Sequence, residues 1–252
     1  VGQLDDKVAV ITGGESGIGL ACAQLFSREG ARVHLIGIQK DKLEEAVDQL
    51  GSDRALASVA DVTDEQAVHD AIESGYRHFG RLDVLFSNAG ISGAVRPIVD
   101  YPGDVFARTL AVHVNGAFHV LKHGLPRLTD GGSVIITSSV VGLMGFAQIS
   151  AYVAAKHGQV GLMRAAAKEV ADRRIRVNTL HPGPTSTTFQ DAIEMEATGL
   201  PQAQAAEVFD GMIPLGRHTT PEEIAQAALY LASDASAMVT ATTFAIDGGL
   251  SG

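Results

Sequence analysis

Seven short runs of aliphatic and β-branched residues punctuate this chain: KVAVIT (7–12), ARVHLI (31–36), ALASVA (55–60), LDVLFS (82–87), SVIITS (133–138), RIRVNTL (174–180) and TATTFAI (240–246). Longer segments with helical spacing separate them. One opens in the glycine cluster at Gly17, and others follow Gln39, Asp64, Asp104, Ser150 and Pro221. Thr63-Asp64-Glu65 and Thr220-Pro221-Glu222-Glu223 read as helix starts, with a capping residue and acidic groups in the first turn. Apolar strands alternating with helices predict an α/β fold whose mainly parallel sheet is covered on both faces. No linker-like shift in composition and no repeat divides the 252 residues, so a single domain over 1–252 is expected. Residues 183 to 216 break the rhythm between the sixth strand and the last helix. An insertion at the C-terminal end of a strand is where such folds build a ligand site or lid, and a substrate lid is expected over about 186–216.

Charge and composition narrow the partners. The chain carries 29 acidic and 19 basic residues, a net charge of −10, and no dense Lys/Arg run, which argues against nucleic acid and anionic membrane. No apolar run approaches the roughly 18 residues of a spanning helix, and the N-terminus runs into a strand without a signal-peptide pattern. The single cysteine, Cys22, has no partner for an internal disulfide. This fits a reducing, cytoplasmic setting, with Cys22 as a small core residue. Nine histidines are scattered without ligand spacing, so no metal site is expected.

The first strand runs directly into TGGESGIG (12–19). Glycines at 13, 17 and 19 allow a tight turn, close approach of a ligand, and packing of the next helix on the sheet. The free N–H groups and positive dipole end of that helix favour a pyrophosphate. Gly13, Ser16, Gly17, Ile18 and Gly19 are therefore candidate dinucleotide contacts, because the loop follows the first strand of a βαβ unit.

Five motifs in register, TGGESGIG, SNAG (87–90), Ser139 with YVAAK (152–156), HPGPTST (181–187) and IDGG (246–249), resemble those of the short-chain dehydrogenase/reductase family over essentially the whole chain. The resemblance implies a Rossmann-type, doubly wound, seven-stranded sheet, a nicotinamide cofactor and usually a homotetramer.

Tyr152 and Lys156 stand four residues apart and so share one helix face. An ammonium nearby favours the phenolate, allowing Tyr152 to take a proton from an alcohol or return it to a carbonyl. Ser139, at the end of the fifth strand, has a hydroxyl suited to the substrate oxygen as charge develops there. The resemblance assigns these roles to this trio, and a structural or cofactor-side role to Ser138. It also implies a fourth catalytic residue, an asparagine. LAVHVNGAFHV (110–120) places His113 at that position, since Asn115 points elsewhere on the helix. His113 is then expected to hold a proton-relaying water and to titrate near neutral pH, so that His113→Asn would keep turnover and alter the acid side of its pH profile. The plainer reading is a packing histidine.

The resemblance further implies an acidic residue at the end of the second strand in NAD users. Gly37 stands there, followed by Ile38 where NADP users carry arginine. Glu15 in the loop repels a 2′-phosphate, which leans towards NAD, whereas Lys40 and Lys42 keep NADP open. Asp61 and Val62 match the adenine-contacting pair. Asn88, Ala89 and Gly90 would line the cofactor's other side, and Pro182, Gly183, Thr185 and Thr187 the nicotinamide end. Phe189, Ile193, Met195, Leu200, Phe209, Met212 and Ile213, with Val95, Leu143, Met144 and Phe146, suggest an apolar pocket for an uncharged secondary alcohol or ketone. Glu194 and Glu196 count against an anionic substrate, and Arg96 counts for one. Two other readings stay open: an NADPH-dependent carbonyl or 3-oxoacyl reductase, its carrier met by Arg127, Arg173 and Arg174, and a dinucleotide-binding regulator without catalysis.

Overall fold

A computed structural model describes residues 2–252. Each predicted apolar run falls on one strand: β1 (Val8–Thr12), β2 (Arg32–Gly37), β3 (Ala55–Val59), β4 (Val84–Ser87), β5 (Ser133–Thr137), β6 (Arg176–Pro182) and β7 (Thr243–Ile246). All pair in parallel, in the order β3-β2-β1-β4-β5-β6-β7. The helices are α1 (Gly17–Arg28), α2 (Lys40–Leu50), α3 (Glu65–Phe79), α4 (Gly103–Leu110), α5 (Gly116–Gly124), α6 (Ser150–Glu169), α7 (Thr188–Thr198), α8 (Gln202–Asp210) and α9 (Pro221–Ala232). This is the Rossmann-type, doubly wound architecture expected of the sequence.

Side chains alternate across the sheet, and both faces are apolar. Ala9, Ile11, Val84, Phe86 and Ile135 join one buried cluster with α1 and α9, while Val10, Leu85, Val134 and Ile136 join a second with α3, α5 and α6. Full burial of each large aliphatic side chain contributes about 1.5–3 kcal/mol, so two such layers account for the burial of the central strands on both faces. Cys22 is fully buried in the first cluster, and burial pushes its thiol well above the usual range.

The predicted helix starts carry their caps. Asp64 accepts from the Ala67 N–H at 3.0 Å. Thr220 and Glu223 form a reciprocal box, with Thr220 Oγ1 accepting at 3.2 Å and the Glu223 carboxylate at 2.9 Å. Between α4 and α5 the chain widens into a π-turn, Ala111–Asn115, which the sequence pattern did not distinguish from a continuous helix. The strand order reverses between β1 and β4, and a crevice opens beyond the carboxyl ends of the strands at such a point. The 183–216 insertion supplies α7 and α8 at this end. No helix among the described residues is long and apolar enough to cross a membrane.

Candidate active site

A cleft of about 1280 Å³ lies at the carboxyl ends of β1, β4, β5 and β6. Its walls include Gly13, Ser16, Gly17, Ile18, Gly37, Ile38, Asp61, Val62, Asn88, Ala89, Gly90, Pro182, Gly183, Thr185 and Thr187, together with Ser139, Tyr152, Lys156 and His113. Of the dinucleotide candidates, Gly19 alone lies outside the wall. A Cβ there would lie 2.0 Å from the Gly13 carbonyl, so its role is to let α1 pack against the loop. Gly13 and Gly17 adopt positive φ, +63° and +51°, which turns the loop under the cleft. Ser16 precedes α1 without capping it through its side chain, leaving the first-turn N–H groups to a ligand. Thr187, the N-cap of α7, faces Gly17, whose added Cβ would sit 3.5 Å from the threonine methyl. This cradle fits the pyrophosphate of a dinucleotide.

Several candidate side chains are committed to the protein itself. Asn88 Nδ2 donates to the Thr12 carbonyl at 3.2 Å, and its Oδ1 accepts from Thr137 Oγ1 at 3.0 Å, tying β1, β4 and β5 together. Its backbone N–H donates to Thr12 Oγ1 at 2.9 Å, so only its carbonyl remains for a ligand. Asp61 Oδ2 accepts from Arg108 at 2.9 Å and Oδ1 from the Thr63 hydroxyl at 2.8 Å. Burial pushes this carboxyl up, but those donors outweigh it and hold it below its usual value. Lys42 lines the cleft, whereas Lys40 pairs with Glu44 at 3.5 Å.

On the floor, Lys156 is 2% exposed and Nζ donates to the Thr137 carbonyl at 2.7 Å. Its ammonium lies 5.1 Å from the Tyr152 ring centre. Burial pushes Lys156 down to about 7 and pushes the Tyr152 phenol up, while the Ser139 hydroxyl draws the phenol partway back. The expected pull of the ammonium towards phenolate is thus outweighed by desolvation. Ser138 Oγ donates to the Lys156 carbonyl at 3.0 Å, a structural bond.

His113 sits in the π-turn, 1% exposed, its ring edge-on to Tyr152 at 5.2 Å. Nε2 lies 2.8 Å from the Ile91 carbonyl and 3.2 Å from the Ile91 amide, and Nδ1 is buried without a partner. Burial first, then the Lys156 charge, holds its pKa well below the ordinary 6.5. The expectation that His113 titrates near neutral pH is therefore corrected: the imidazole stays neutral.

The insertion divides differently from its reading as an apolar pocket. Among its predicted pocket residues only Phe189 lines the cleft, 6.3 Å from the Tyr152 ring. Phe209 and Ile213 are buried, and Phe209 stacks on Phe146 at 6.5 Å. Glu194 is 1% exposed and accepts from Gln190 Nε2 at 2.8 Å, with His218 Nε2 at 2.7 Å. Arg96 pairs with Glu196 at 3.1 Å. The three charges weighed for and against an anionic substrate are thus engaged with protein groups.

A family model described as enoyl-(acyl carrier protein) reductase matches residues 13–251. The cyclohexanol dehydrogenase of Acinetobacter sp. (strain SE19) is 34% identical, covering 98% of this chain and 95% of its own. The crystal structure of levodione reductase superposes with a TM-score of 0.94 at 36% identity, covering 98% of both chains. Carveol dehydrogenase from Mycobacterium avium, solved in complex with NAD, also gives 0.94, at 31% identity over 99% of both. The chain belongs to the short-chain dehydrogenase/reductase family. It is an NAD(P)-dependent oxidoreductase acting on CH–OH groups.

Two supports of this short-chain dehydrogenase/reductase site escaped the sequence reading. His181 Nδ1 donates to the Ser139 carbonyl at 2.7 Å, while Nε2 accepts from the Thr179 hydroxyl at 2.8 Å. Burial pushes His181 down to about 4, which keeps it neutral, and the Ser139 carbonyl, which can only accept, fixes that tautomer. Gln159 Nε2 donates to the His113 carbonyl at 3.0 Å. Position in HPG marks His181 in the sequence; nothing local marks Gln159.

Proposed function

We propose that the protein interconverts a secondary alcohol and a ketone by hydride transfer with NAD(H), on an uncharged and fairly apolar, alicyclic substrate. The observation that carries this reading is the convergence of Ser139, Tyr152 and Lys156 at the floor of one cleft, with Phe189 beside Tyr152. Cyclohexanol, levodione and carveol in the names of its relatives favour an alicyclic substrate. Glu15 in the cleft wall and the NAD in the carveol dehydrogenase structure favour NAD over NADP.

Bound in the cleft, the dinucleotide supplies or accepts the hydride. Tyr152 donates its phenolic proton to the carbonyl oxygen in reduction and takes it back in oxidation. Burial pushes the phenol up, so Tyr152 meets a carbonyl in its protonated, donating form. The Ser139 hydroxyl donates to the same oxygen as charge builds on it. Lys156 Nζ, anchored on the Thr137 carbonyl, is held beside Tyr152, where it can take up and release a proton. His113 is a positioning residue that fixes Ile91 and packs on Tyr152.

The α7–α8 segment is read as the substrate lid over about 186–216. A homotetramer goes with this reading: Ala154, Gly158, Gly161 and Ala165 form one small-residue stripe along α6, exposed at 154, 161 and 165. Light scattering near four times 26.3 kDa is expected, and a monomer would contradict it. The lone Cys22 goes with a reducing, cytoplasmic setting. A carrier-bound substrate is disfavoured, because two of the three arginines that would meet the carrier are paired, Arg127 with Glu73 and Arg173 with Asp130, leaving Arg174 alone.

The test is turnover of cyclohexanone with NADH and NADPH supplied separately, and of cyclohexanol in reverse with NAD+ and NADP+. Oxidation of NADH at least about tenfold faster than NADPH supports the proposal, a difference of about 1.4 kcal/mol. No turnover of cyclic or open-chain ketones with either cofactor moves the non-catalytic regulator forward.

A further inference from the structure

At the end of β2 the protein has glycine where a side chain would point into the cleft, and another residue occupies that volume. A Cβ added to Gly37 would lie 2.2 Å from Glu15 Oε2 and 2.4 Å from both Cδ and Oε1. Glu15 belongs to the glycine loop, so its carboxylate crosses from the end of β1 to the end of β2. Oε1 accepts from the Ile38 N–H at 3.2 Å. Oε2 is buried without any hydrogen-bond partner, in a residue only 7% exposed. Glu15, Gly37 and Ile38 all line the cleft.

A buried carboxylate oxygen without a donor is costly, and one in a ligand cleft calls for a donor on the ligand. The pyrophosphate cradle at the start of α1 fixes which part of the ligand lies here. In a dinucleotide fold the adenosine ribose sits beyond the carboxyl end of the second strand, and an acidic group there accepts from its 2′-hydroxyl. Gly37 leaves that strand without such a group.

Building on the NAD(H) reading, we propose that Glu15 is the cofactor-discriminating residue. Its Oε2 accepts from the adenosine 2′-hydroxyl, its charge repels a 2′-phosphate, and Gly37 is glycine because the Glu15 carboxylate fills the space. Lys42 is the opposing cation on the same wall, but it is exposed, so solvent and salt weaken its hold on a phosphate. Arg108 and Arg217, the arginines of the wall, are held by Asp61 and Glu223.

The test is calorimetric binding of ADP-ribose and 2′-phospho-ADP-ribose, which report on the adenosine half without any turnover. Three proteins are compared: the natural chain, Glu15→Gln, and Glu15→Ser/Gly37→Asp, which returns a carboxylate from the strand. The natural chain is expected to prefer ADP-ribose at least about tenfold. Glu15→Gln is expected to weaken ADP-ribose about 10- to 100-fold, the loss of one hydrogen bond to a charged group, and to tighten the phosphorylated ligand. The double variant is expected to recover ADP-ribose binding. If Glu15→Gln leaves ADP-ribose affinity unchanged while the natural chain still prefers it, the Glu15 assignment fails and the NAD(H) reading stands. Preference of the natural chain for the phosphorylated ligand overturns both. Equal loss of both ligands, not recovered in the double variant, assigns Glu15 to holding the loop and overturns the proposal.

Discussion

Gln159 of α6 donates its side-chain amide to the backbone carbonyl of His113 at 3.0 Å, pinning the π-turn to the helix that carries Tyr152 and Lys156. The bond lies one turn beyond Lys156, and the carbonyl it satisfies belongs to the residue that packs on Tyr152. A buried neutral His113 has nothing to titrate near neutral pH. His113→Asn is therefore expected to retain turnover within about threefold, and to keep the pH profile of kcat between about 6 and 9, since the removed group bears no proton equilibrium there. A shift of the acid limb on that substitution would return His113 to the relay. Gln159→Leu should instead leave the His113 carbonyl unsatisfied, lowering stability by about 1–3 kcal/mol in urea unfolding.

Lys156 gives the protein a pH-dependent stability whose sign is fixed by burial. Its ammonium is pushed from 10.5 to about 7 in the folded chain. Between these values the unfolded chain holds a proton that the folded chain has released, so native stability rises with pH across that window. The penalty is present in full below about 7 and gone above about 10.5. In Lys156→Met this contribution disappears. Unfolding midpoints of the two proteins should converge as pH rises through the window, with a slope difference of up to about 1.4 kcal/mol per pH unit. Parallel curves would mean that Lys156 keeps its proton in the folded state.

A second titrating group ties down the proposed lid. His218 reaches Asp210 of α8 through Nδ1 at 2.6 Å and Glu194 of α7 through Nε2 at 2.7 Å. Burial alone would lower its pKa, but the two carboxylates outweigh that and raise it. Arg217 beside it is occupied by Glu223 of α9. A raised value means that the clamp is fully present below the ordinary 6.5 and lost as pH climbs through the folded value. Amide protection factors in α7 and α8, corrected for base-catalysed intrinsic exchange, should fall on the alkaline side in the natural chain. In His218→Gln protection should be low throughout and flat with pH. A natural chain whose lid keeps the same protection factors across neutral pH would remove the clamp.

The strands, their order along the chain and the pairing of Tyr152 with Lys156 in one cleft were legible because each depends on residues close in sequence. Strands declare themselves by apolar runs, α1 by its glycines, and Tyr152 with Lys156 by one helical turn. What stayed hidden depends on contacts between distant segments. Glu15 reads as a loop residue until the fold lays it over Gly37, 22 positions away. Glu194 reads as a free acid until His218 arrives from 24 positions away. The π-turn adds one residue to a helix whose apolar spacing barely changes, so LAVHVNGAFHV offers no local mark of it. Of the insertion's apolar residues, Phe189 faces the cleft while Phe209 and Ile213 pack inward, a division set by how α7 and α8 cross rather than by residue type.

The most direct test of the central claim is Tyr152→Phe, with two quantities measured on the same protein: the dissociation constant for NADH and the rate of NADH oxidation by a cyclic ketone. NADH affinity is expected within about twofold of the natural chain and turnover reduced by about 10²–10⁴-fold, the share of a positioned general acid. Turnover that survives the loss of the phenolic hydroxyl would contradict the assignment of Tyr152 as proton donor.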